Sequence, residues 1–163
     1  MKKTAYLGLF LALALICSYV ESLIPFSFGI PGVKLGLTNI VVILMLYRAG
    51  IKDALVISVL RILLAGMLFG NLFSILYSLA GGLLSFFCMV LLKQTGKFGV
   101  TAISAIGGIT HNLGQILTAV LVVENPNLLY YFPTLLLAGV ITGVLIGMTA
   151  QEILFRLPKE KFF

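Results

Sequence analysis

Gly107-Gly108-Ile109-Thr110-His111-Asn112-Leu113-Gly114-Gln115 sits midway along an apolar run from about Gly99 to Val123, and its reading decides the fold. At helical spacing Gly107, His111 and Gln115 share one face, with Gly108 and Asn112 beside them. Hydrocarbon cannot satisfy an imidazole, two amides and a threonine hydroxyl, so this face must turn toward other helices or a wet cavity. Two readings stay open. The stripe lines a pocket, or it is interhelical packing in which glycine permits close approach and Asn or Gln bonds across helices.

The rest of the chain supports a membrane setting. Its 163 residues are 61% hydrophobic and 10% charged, with a mean hydropathy of +1.18. A soluble domain of this size cannot hide so much apolar surface, so the sequence predicts an all-α integral membrane protein, one membrane domain over 1–163. Six transmembrane helices are expected at about 5–20, 35–47, 54–69, 72–92, 99–123 and 130–155. Lys2 and Lys3 before an apolar stretch resemble the start of a signal peptide. No small-x-small cleavage site follows Ser18, so a retained first span is expected.

Individual spans carry their own signals. In span 1, Gly8 with Ala12 and Ala14 with Ser18 form small-xxx-small pairs suited to docking a partner helix. Residues 22–34, with Pro25, Gly29, Pro31 and Gly32 among Phe26 and Phe28, break helices yet stay apolar. Span 2 is short for a ~30 Å hydrocarbon core, which implies tilt or local thinning. Span 3 carries Arg61 near its middle, where a guanidinium needs a carboxylate, carbonyls or water. In span 4, Tyr77, Gly81 and Ser85 share a side. In span 6, Gly139, Gly143, Gly147 and Gln151 form a groove for another helix.

Charge sets the topology. Lys2, Lys3, Arg48, Lys52, Lys93, Lys97, Arg156, Lys159 and Lys161 fall on the face shared by the termini, against Lys34 alone on the other. The positive-inside rule then places both termini in the cytoplasm. The basic balance reports topology and membrane lipid, with no call for nucleic acid. Polar residues concentrate toward the outer half and the middle, which predicts an outward cavity floored at mid-membrane. Lys34, Asn39, Arg61, Tyr77, His111, Asn112 and Gln115 are its candidate substrate-binding residues. Each has a structural alternative, from snorkelling for Lys34 to a hydrogen-bonded imidazole for His111.

Three motifs carry a family resemblance. They are Leu11 through Phe26 with Glu21 and Pro25, then Pro31-Gly-Val-Lys34-Leu-Gly-Leu-Thr-Asn39, and His111-Asn112-Leu-Gly-Gln115. Together they resemble the bacterial Gx transporter family, also labelled heptaprenyl diphosphate synthase component I, which is similar to the substrate-binding S components of energy-coupling-factor transporters. The resemblance implies an S-component-like bundle in the bacterial cell membrane, with the first loop as an external lid. It also implies a first helix that docks a transmembrane coupling subunit, with ATPase subunits as further partners. Span 1 departs from the family pattern in lacking an Ala-xxx-Ala pair. A relative accompanies flavin-based extracellular electron transfer genes.

Two functions follow. The first is capture of a small vitamin-like or cofactor-precursor solute from outside, energised by partners, because the chain has no phosphate-binding loop. The alternative is a non-catalytic accessory subunit of a prenyl diphosphate synthase, quinone or extracellular electron transfer system. An enzyme is not expected. Ionising an allylic diphosphate needs Mg²⁺ held by clustered carboxylates, and Asp53 is the single Asp beside four scattered Glu. No cofactor is implied. Cys17, Cys88 and the lone His111 give no metal site.

Overall fold

Among the described residues the long apolar stretches are helical. The computed structural model describes residues 2–23 and 36–157, among which there is no strand. The helices are α1 (Lys2–Leu23), α2 (Asn39–Arg48), α3 (Ile51–Phe69), α4 (Leu72–Thr95), α5 (Val100–Val123) and α6 (Phe132–Arg156), with a 3-10 turn at Pro126–Tyr131 before α6. Lys34, the expected lid and the basic tail lie outside the described residues.

Four of these helical segments are long and apolar enough to cross a membrane: Lys3–Leu23, Leu72–Thr95, Val100–Val123 and Pro126–Arg156. The other two differ for distinct reasons. α3 has 19 residues and carries Lys52, Asp53 and Arg61. α2 has only ten residues, a rise of about 15 Å, half a bilayer core. Val41 to Leu46 are all buried, and a helix apolar all round belongs inside a bundle. α2 is the core about which α1, α3 and α6 gather.

α4, α5 and α6 pack antiparallel, with α5 in the middle. Gly139, Gly143 and Gly147 of α6 form a groove occupied by α5. A Cβ on Gly139 would stand 2.8 Å from the Gly108 carbonyl oxygen, and one on Gly143 would stand 2.7 Å from the Ser104 carbonyl oxygen. Thr101 Oγ1 donates to Gln151 Oε1 at 3.0 Å at the end of this seam. The α4 side is equally close, with Gly114 of α5 against the backbone of Ala80 and Gly81.

Turns follow local chemistry. Gly50, at φ 104°, joins α2 to α3, and Gly96, at φ 67°, ends α4; both lie where a side chain would strain the backbone. Between α3 and α4, Asn71 Oδ1 accepts the Ser74 N–H at 2.8 Å while Ser74 Oγ accepts the Asn71 N–H at 3.0 Å, a reciprocal capping box.

Contacts also gather the cations at one end of the bundle. Lys3 pairs with Asp53 at 2.9 Å, joining the starts of α1 and α3. Arg48 Nη2 donates to the carbonyls of Leu154 at 2.6 Å and Leu157 at 3.1 Å, capping α6. Lys93 donates to the Leu46 carbonyl and lies 4.7 Å over the Tyr47 ring. Glu152 and Arg156 pair beside them at 2.7 Å. Of the basic residues grouped from the sequence, Lys3, Arg48, Lys93 and Arg156 thus meet at one end of the bundle.

Candidate functional site

The end opposite the cations holds a cavity of about 250 Å³ between α1, α3 and α4. Its lining follows helical spacing. Ser18, Glu21 and Ser22 come from one face of α1, Arg61, Ala65 and Phe69 with Ile62 and Gly66 from α3, and Ser74 and Ser78 from α4, with Gly70 in the turn between the last two. Arg61 lies nine residues before Gly70, so it sits about 13 Å along the helix axis from that turn. Tyr19 and Phe69 pack their rings 5.2 Å apart beside it, holding α1 against α3.

Arg61 is held from below. Its Nη2 donates to Asn39 Oδ1 at 3.3 Å, so the first residue of α2 meets the middle of α3. Asn39 N–H in turn donates to the Gly36 carbonyl at 2.8 Å, and Gly36 N–H donates to Glu21 Oε1. Glu21 lies close enough to Arg61 to interact electrostatically. A hydrogen-bonded path thus runs from the α1 carboxylate to the α3 guanidinium. Among the described residues the enclosed Nε of Arg61 has no hydrogen-bond partner. An unsatisfied buried donor costs about 1–3 kcal/mol, which an acceptor entering the cavity would offset.

The expected binding residues separate into two groups. Arg61 lines the cavity and Asn39 supports it. Tyr77, His111, Asn112 and Gln115 lie instead at the seams around α5. Asn112 Nδ2 donates to the Leu135 carbonyl of α6 at 2.7 Å. Gln115 and His111 pack against Gly81 of α4, where a Cβ would meet Gln115 Cγ and the His111 carbonyl oxygen, each at 2.7 Å. Ser85 Oγ donates to the Gly107 carbonyl at 2.8 Å. Tyr77 is buried on this same side of α4 and stacks on Phe73 at 5.8 Å. Lys34 lies outside the described residues.

Several cavity residues were not candidates from the sequence. Glu21 figured there only within a family motif, and Ser18 as a docking residue. The four-residue steps Ser18–Ser22 and Ser74–Ser78 were a usable signal, since serines repeated on one face of an apolar helix need a polar neighbour. The expected docking residues also divide. Gly8 and Ala12 are exposed, with open space around the Gly8 Cα. Ala14 is fully buried in the core, and Ser18 Oγ bonds Thr38 Oγ1 at 3.0 Å.

A family model described as heptaprenyl diphosphate synthase component I matches residues 10–153, a span that includes every cavity-lining residue. No curated protein and no solved structure matches the chain.

Proposed function

The chain belongs to the heptaprenyl diphosphate synthase component I family, and from that premise we propose that it is the solute-binding membrane subunit of an energy-coupling-factor-type transporter. The observation that carries the reading is the cavity itself. A guanidinium with an unused donor, held at depth by Asn39, faces a space that reaches the bundle end opposite the cation cluster. An ionisable group at such depth in a helical bundle is costly to keep there and supports a functional site. Applied to the cation cluster, the positive-inside rule makes that end cytoplasmic and the cavity external, in a bacterial cell membrane.

In this reading Arg61 binds an anionic group of the solute, Asn39 fixes the guanidinium, and Glu21 with the nearby serines completes the polar wall. The stripe on α5 is assigned to holding α4 and α6, so the cavity walls keep their spacing. A membrane coupling subunit would dock on the exposed Gly8 and Ala12 of α1, and ATPase subunits would supply the energy.

The family description favours a second reading, an accessory component of a prenyl diphosphate synthase. Among the described residues no three His, Cys, Asp or Glu side chains come together, so magnesium-binding carboxylates would have to come from a catalytic partner. Purification from native membranes followed by native mass spectrometry separates the two readings. Solute capture predicts a bound small molecule with coupling and ATPase subunits. A stable synthase partner without a small molecule contradicts it.

A further inference from the structure

We infer that the solute of this cavity is a small monocarboxylate with an apolar remainder; the inference rests on the solute-capture reading above and names the class of solute that Arg61 would hold. Among the described residues that line the cavity, Arg61 is the one cation. Its guanidinium is planar and permanently charged, and it carries donors only, set in a rigid fork. Asn39 Oδ1 accepts one proton from Nη2, while the Nε proton meets no acceptor. The donors that Asn39 does not take lie in one plane, which matches the two oxygens of a carboxylate.

The hydroxyls of the wall are committed elsewhere. Ser18 Oγ bonds Thr38 Oγ1 at 3.0 Å, Ser22 Oγ donates to the Tyr19 carbonyl at 2.7 Å, and Ser74 Oγ donates to the Asn71 carbonyl at 2.8 Å. A sugar-like solute, which needs many exchanging hydroxyl partners, therefore suits this wall poorly. Glu21 accepts Gly36 N–H and acts electrostatically on Arg61, so with Asn39 it belongs to the support of the guanidinium. Recognition of the solute's polar end falls to Arg61.

The α3 wall sets the remainder. Arg61, Ala65 and Phe69 follow one another at four-residue steps toward the Gly70 turn, with Ile62 beside them, so apolar side chains continue from the guanidinium outward. A short hydrocarbon tail or ring on the carboxylate would lie along them and leave water. A second negative charge would lose its hydration and meet no second cation among the described lining residues. The space is about 250 Å³, below the range that encloses drug-sized ligands, so the skeleton is short.

The test is a thermal-shift and calorimetric titration of the purified full chain in a non-ionic detergent. The probes are butyrate and benzoate, their neutral amides butyramide and benzamide, the doubly charged succinate and sulfate, and the cation butylammonium. The expected result is saturable binding of butyrate or benzoate, roughly tenfold or more tighter than the matching amide and weakened roughly ten- to a hundredfold by Arg61→Gln. The comparison of acid with amide needs only the wild type, so it decides the class even where Arg61→Gln does not fold. Wild-type binding of an amide, a doubly charged anion or butylammonium at least as tight as either monocarboxylate overturns the class while leaving solute capture standing. Undiminished butyrate and benzoate binding by a folded Arg61→Gln overturns it too, as does a wild-type protein that answers no probe. Solute capture is then judged separately, by whether a small molecule co-purifies.

Discussion

Arg61 Nη2 donates to Asn39 Oδ1 at 3.3 Å, joining the middle of α3 to the first residue of the half-length α2. This bond explains how a guanidinium can stand inside the bundle. Asn39→Ala should destabilise the protein by about 1–3 kcal/mol, because it leaves an enclosed charge without its acceptor. Adding Arg61→Ala should recover part of that loss by removing the charge. Melting temperatures of the two single variants and the double variant check the cycle. Equal melting of Asn39→Ala and wild type would show that the bond carries no weight.

Gly108 and Gly139 touch backbone to backbone, and a Cβ on Gly108 would stand 2.3 Å from the Gly139 carbonyl oxygen. Alanine ordinarily gains up to about 1 kcal/mol over glycine in a helix. Here overpacking of about 1–3 kcal/mol should win, so Gly108→Ala should lower the melting temperature. Asn112→Ala should cost less, about 0.6 kcal/mol, the typical worth of one interhelical hydrogen bond in a membrane. A Gly108→Ala protein as stable as wild type would contradict the α5–α6 seam.

Arg48 holds two carbonyls at the end of α6. Arg48→Gln cannot span both, so the last turn of α6 should open more often. Hydrogen exchange at the Leu157 amide, which donates to Ile153 at 3.0 Å, should quicken roughly tenfold. Unchanged exchange there would mean that the contact does not cap the helix.

Gly8 has nothing within 4 Å of a built Cβ, and it lies with Ala12 on the exposed side of α1. Gly8→Leu should leave the melting of the isolated protein within about 0.5 kcal/mol of wild type, as surface changes do. In native membranes the same change should reduce recovery of the coupling subunit. Full recovery would move the docking surface elsewhere.

How much of this was legible in the sequence depended on what each residue's neighbours demanded. The four-residue runs of α4 and α6 announced their partner surfaces, because glycine in an apolar helix needs something close to fill its place. The Gly139–Gly143–Gly147 groove did receive a helix, α5. The bundle end that collects Lys3, Arg48 and Lys93 was equally readable from charge. The polar stripe of α5 was not resolved by its own pattern, since pocket and packing need the same residue types at the same spacing. Asn112 bonds the Leu135 carbonyl of α6, a contact that no local window contains. The burial of Val41 to Leu46 on all sides of α2 depends on α1, α3 and α6, which no local window contains.

The most direct measurement of the central claim is native mass spectrometry of the wild type, Arg61→Gln and Gln115→Ala, each purified from native membranes and scored for a bound small molecule. The account predicts a molecule on the wild type and on Gln115→Ala, and its loss from Arg61→Gln. Retention by Arg61→Gln, or loss from Gln115→Ala while the protein stays folded, would contradict it and return the site to the stripe on α5.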